Sequence, residues 1–114
     1  MGYEFVYIPD RGDLIWLSFT PQAGHEQAGR RPALILSPRT YNEKTGLVRV
    51  CPITSHVKGY PFEIHLPEES IIKDVILADH VKSLDWRARE AEFIEKAPWQ
   101  IIENTIARLK LLIE

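Results

Sequence analysis

The feature that most constrains this chain is a change of hydrophobic period near residue 98. Downstream, "APWQIIENTIARLKLLIE" repeats Trp99, Ile102, Ile106, Leu109 and Ile113 at three- and four-residue spacing, the repeat of one helix face. Pro98 suits a first helical turn. Upstream, the runs are short and strand-like. "DLIWLSF" (13–19) follows the turn chemistry of "PDRGD", and "ALILS" (33–37) is an apolar run bounded by prolines. "YNEKTG" (41–46) reads as a helical or tight turn leading into "LVRVCPIT" (47–54), which alternates as a strand does. "YPFEIHL" (60–66), with Phe62, Ile64 and Leu66 on one face, "VILADHVKSL" (75–84) and "RAREAEFIE" (87–95) extend the series. The pattern predicts an α+β, mainly β fold: a small barrel of five to seven antiparallel strands with a C-terminal α-helix. No βαβ alternation is present, which excludes a doubly wound sheet. Trp16 and Trp99 fit core stripes, whereas Trp86 is expected to be partly buried.

The 114 residues, 45% of them hydrophobic, match one domain spanning 1–114 with a single packed core. No apolar run approaches the ~18–20 residues of a membrane span. The N-terminal "MGYEFVYIPDRGD" lacks a basic region followed by an apolar segment, so no signal peptide is expected. Cys51 is the lone cysteine, which predicts no internal disulfide and fits a reducing cytoplasm. The net charge of −2 argues against non-specific coating of nucleic acid. The charge is uneven: residues 1–60 sum to +2 and residues 61–114 to −4, so an anion site belongs in the first half.

Two stretches there carry the chemistry. Thirteen residues, Thr20 to Pro32, separate the first two strand runs, a long connection in so small a domain. Pro32 biases Arg31 toward extended backbone at the strand mouth, where its guanidinium can fork onto a phosphate or pair with a carboxylate such as Glu26 or Asp79. In "PITSHVKGYPF" (52–62), Thr54 and Ser55 end a strand, followed by His56 and Lys58. Their hydroxyls either make turn hydrogen bonds or cradle phosphate oxygens. His25, His56, His65 and His80 show no ligand spacing with Cys51, so no metal site is expected. No phosphate loop or nucleophile elbow occurs. Glu90, Glu92 and Glu95 read as a solvated strand face.

The segments "RGDLIWLSFTPQAGHEQAGRRPALILSP", "PITSHVKGYPFEIHL" and "ILADHVKSLDWRAR" together resemble the MazF/PemK family of toxin endoribonucleases, nearest its MazF branch. The motifs G-x-E-Q-x-G-x-R-P, P-x-T-[ST] and A-D-x-V-[KR]-[ST] follow in order, and the resemblance runs from about Arg11 onward. It implies an SH3-like barrel that forms homodimers and cuts single-stranded RNA without metal or other cofactor. The ribose 2′-OH attacks the adjacent phosphorus, leaving a 2′,3′-cyclic phosphate and a 5′-OH end. It also implies a cognate antitoxin whose acidic, disordered tail lies across the RNA site.

Residue by residue, the family's catalytic Arg falls on Arg31 and its catalytic Thr on Thr54. Glu26 matches the acidic residue of the loop, a candidate base or orienter of Arg31. His25 and Asp79 match secondary catalytic positions of the PemK branch. That branch carries an Arg two residues before its Asp, and here the position is Leu77. The resemblance therefore favours Arg31 with Thr54. Gln27, Ser55, Lys58 and Arg87 are the expected RNA contacts. A gyrase poison of the CcdB type shares the fold, but it relies on a "WGI" ending where this chain has "LLIE". A silent binder is disfavoured by retention of both Arg31 and Thr54.

Overall fold

Strand β1 (Asp13–Ser18) sends Leu14 into one core and Ile15 and Leu17 into another. Its apolar run is continuous because both faces are covered. This computed structural model describes residues 6–19 and 29–113. Strand β2 (Arg30–Ile35) begins three residues before the predicted "ALILS" run, because Arg30 and Arg31 pair with Ser18 and Leu17 of β1. Helix α1 (Arg39–Thr45) fulfils the expected turn and ends on Gly46 in the left-handed region, φ 73°. Strand β3 (Leu47–Thr54) matches its predicted bounds. Only Glu63–His65 of the "YPFEIHL" run is strand, β4.

The "VILADHVKSL" run is not one strand. It divides into β5 (Val75–Leu77), a 3-10 turn (Ala78–His80) and β6 (Lys82–Asp85). Both strands pair with β3: Ile76 opposite Ile53, Lys82 opposite Val50. Three steps along β3 thus face six along the partner, and the surplus is extruded as the 3-10 turn, carrying Asp79 and His80 outward. Strand β7 (Glu92–Lys96) pairs with β1, and helix α2 (Trp99–Ile113) closes the series.

The seven-stranded sheet runs β4-β5-β3-β2-β1-β7, with β6 also on β3 and each pairing antiparallel. This is the expected mainly β architecture with its C-terminal helix. The single core expected from composition is instead two, one on each face of the sheet's central strands: one, holding Leu14, Leu34, Cys51, Ile53 and Ile76, lies under α2, and the other gathers Ile15, Leu17, Ile35, Val48 and Trp86. Helix α2 docks through Ile101, Ile102 and Thr105, while Trp99 is 61% and Ile113 76% exposed. The buried stripe is therefore rotated from the predicted one. The tryptophans reverse their expected order too: Trp86 is 3% exposed and donates Nε1–H to the Asn42 carbonyl at 2.8 Å.

Candidate active site

The β2–β3 ladder runs from Ile35 opposite Val50 to Ala33 opposite Pro52. Pro32 and Pro52 lack backbone N–H donors, so the ladder ends where they meet it. On its other edge β3 pairs with β5, through Ile53 and Thr54. Arg31 and Thr54 each lie two residues beyond the last β2–β3 pair, Ala33 opposite Pro52. The two residues that sequence singled out for phosphate chemistry thus lie on neighbouring strands, just past the end of their shared ladder.

Thr54 opens a cavity of about 440 Å³ whose walls include His56, Lys58, Tyr60, Glu63 and His80. Thr54 is 4% exposed, and its Oγ1 accepts the His56 N–H at 3.1 Å. That bond fixes the hydroxyl and leaves its own proton to donate. Glu63 clasps the next turn, accepting the N–H groups of Lys58 at 2.9 Å and Gly59 at 2.8 Å. The Lys58 N–H foremost, then that of Gly59, outweigh its burial and hold the Glu63 carboxyl below its ordinary range. Gly59 adopts φ 80°, the left-handed geometry this turn requires.

Across the cavity, the Tyr60 hydroxyl donates to Asp79, with oxygen separations of 2.6 and 2.7 Å. Burial and then the Asp79 carboxylate push the Tyr60 phenol up to about 12. His80 Nε2 stands 4.0 Å from Asp79. Cys51 is buried beneath, and burial raises its thiol to about 12, so it is chemically quiet.

The structure therefore brings Thr54 and Lys58 to one cavity, with Ser55 exposed beside them and Asp79 behind Tyr60. Arg87 does not join them. It follows Asp85, which pairs with Leu47 at the opposite end of β3, roughly 20 Å away at strand rise. There its guanidinium lies 4.7 Å over the Trp86 ring. His25, Glu26 and Gln27 lie outside the described residues. Tyr60, Glu63 and His80 are the cavity residues that sequence reading did not single out; His56 it named beside Lys58 without giving it a role. Only the proximity of Tyr60 and Glu63 to the P-x-T-[ST] motif pointed to them. Among the described residues, no group of three His, Cys, Asp or Glu side chains is placed to hold a metal.

Residues 10–113 match the family of PemK-like, MazF-like toxins of type II toxin-antitoxin systems. This chain belongs to that family. It is similar to the endoribonuclease toxin MazF of Escherichia coli strain K12, 56% identical over 86 residues, which cover 75% of this chain and 76% of that one. Its fold superposes on crystalline MazF of Deinococcus radiodurans with TM-score 0.92 and 55% identity, covering 95% of this chain and 98% of the other. A MazE–MazF crystal structure from the same organism matches with TM-score 0.87 and 55% identity, covering 95% and 97%. The MazF/PemK resemblance and the fold it implied are thus both borne out. No helix among the described residues of this family member is long and apolar enough to cross a membrane.

Proposed function

We propose that this toxin is a metal-independent endoribonuclease that cleaves single-stranded RNA at short sequence motifs by 2′-OH transesterification, and so inhibits translation and growth. The observation that carries the reading is the placement of Arg31 and Thr54 on adjacent strands, each two residues past the last β2–β3 pair, with Thr54 in a cavity that also holds Lys58. The family match and the endoribonuclease named among its relatives support it.

In this reaction the 2′-oxygen forms a bond to phosphorus while the bond to the 5′-oxygen breaks. The proton leaves the 2′-OH for a base, and another reaches the departing 5′-oxygen. Arg31, permanently charged and forked, stabilises the crowded phosphorane. Thr54 donates its proton to a non-bridging oxygen, and Lys58 neutralises a neighbouring phosphate. Glu26 is the base or the orienter of Arg31, with His25 and Asp79 as secondary candidates. Gln27 and Ser55 contact the RNA near the cut, and Arg87 serves only RNA that reaches the far end of β3. The active species is a homodimer, restrained by an antitoxin whose acidic, disordered tail competes for the same groove. The MazE–MazF complexes of the Deinococcus relative support an antitoxin partner.

The test is cleavage of a mixed-sequence single-stranded RNA by wild-type, Arg31→Ala and Thr54→Ala proteins. Each variant is expected to keep its fold and lose about 10²–10³-fold in kcat. Wild-type turnover in Arg31→Ala would overturn the assignment.

A further inference from the structure

The loop after Thr54 is tied down at four points. Thr54 Oγ1 accepts the His56 N–H, Glu63 accepts the N–H groups of Lys58 and Gly59, Arg108 of α2 donates to the Pro61 carbonyl, and Tyr60 donates to Asp79. Pro61 restricts Tyr60 to extended backbone, which aims its side chain across the loop. The extruded 3-10 turn sets Asp79 there to receive it. Tyr60 lines the cavity and Asp79 stands behind it, with both carboxylate oxygens within hydrogen-bond distance of one phenol oxygen. A general base must reach the proton it removes, at about 2.6–3.2 Å. Tyr60 already holds hydrogen-bond distance to both Asp79 oxygens, the atoms a base would offer to the 2′-OH.

We propose that Tyr60 and Asp79 form a positioning pair that fixes the loop carrying Lys58 opposite Thr54, and that Asp79 acts through Tyr60 rather than as a base on the substrate. This rests on the ribonuclease reading above. Among the described residues, the titratable groups that act on the pair include Glu63, His80 and the buried Cys51. A loosened loop withdraws Lys58 from the phosphate, so the pair acts on RNA binding before it acts on the chemical step.

The two roles separate at Asp79→Asn. Asparagine still accepts the Tyr60 proton through its carbonyl oxygen, but it cannot take a proton from a substrate. Cleavage of an RNA oligonucleotide is measured for Tyr60→Phe, Asp79→Ala, their double variant and Asp79→Asn. Tyr60→Phe, Asp79→Ala and the double variant are expected to raise KM alike, by about tenfold. Asp79→Asn should fall between them and wild type, with the shape of the kcat/KM pH profile unchanged. A loss in kcat of about 10²–10⁴-fold in Asp79→Asn, equal to that in Asp79→Ala, would overturn the proposal, because that is the signature of a lost base.

A second readout is independent of cleavage. With tyrosine ring carbons labelled for NMR, the Tyr60 signal is identified by its loss in Tyr60→Phe. It should titrate above an ordinary phenol and move down in Asp79→Ala. An unshifted Tyr60 that ignores Asp79→Ala would overturn the pair whether or not RNA is cut. If wild-type protein cuts no RNA while the Tyr60 signal behaves as expected, the pair stands as a loop anchor and its role in RNA positioning falls with the ribonuclease reading.

Discussion

Glu63 keeps its charge at 8% exposure because backbone N–H groups of Lys58 and Gly59 meet both of its oxygens. Those bonds hold its folded-state value below the ordinary 4.5. A carboxyl depressed by folding stabilises the protein above its unfolded value, and that contribution is lost as pH falls through the lower, folded one. The thermal midpoint of wild type should therefore drop more steeply below about pH 4.5 than that of Glu63→Gln. Parallel acid limbs would show that the clasp contributes nothing. Alternation along "YPFEIHL" places Glu63 on the water-facing side, and no periodicity reveals a carboxylate turned back onto a neighbouring turn. Thr54 and Lys58 were legible as cavity residues because motif and strand end coincide. Tyr60 was not, since its partner Asp79 reaches it only through a turn that sequence reads as strand.

At the scale of elements, α2 is placed by contact with one glycine as much as by its own stripe. A Cβ on Gly12, whose φ is 91°, would lie 2.5 Å from Ile102 Cδ1. Gly12→Ala thus combines left-handed strain with overpacking and should cost about 2–4 kcal/mol, read from urea unfolding. An unchanged midpoint would mean that α2 shifts freely. Sequence periodicity located the helix but not its rotation, because Ile101 and Thr105 are drawn inward by packing on the sheet rather than by the helix's own repeat. β1 and β3 were readable, since their runs are flanked by turn residues. The break at Ala78–His80 was not, because surplus residues in a β edge leave no signature in hydrophobic alternation.

Across the whole molecule, the described N-terminal segment, β1 and β7 are joined at Asp13. Its carboxylate accepts the Tyr7 hydroxyl at 2.5 Å and the Asp10 N–H at 3.0 Å, and Lys96 Nζ lies 2.6 Å away. Lys96 is half in water, so most of the stabilisation belongs to the two hydrogen bonds to the buried carboxylate. Asp13→Ala should lower stability by about 2–3 kcal/mol while sparing the chemistry of a cavity built at the far end of β3. The overall architecture was legible because short strands followed by one amphipathic helix admit few arrangements. The central claim concerns the reaction. Its most direct test is incubation of purified protein with long mixed-sequence RNA in excess EDTA, with the cut ends mapped and their chemistry determined. Discrete cuts bearing 2′,3′-cyclic phosphate and 5′-OH ends, absent in Arg31→Ala, are the predicted result. Cleavage that requires an added divalent ion, or that leaves 5′-phosphate ends, would contradict it.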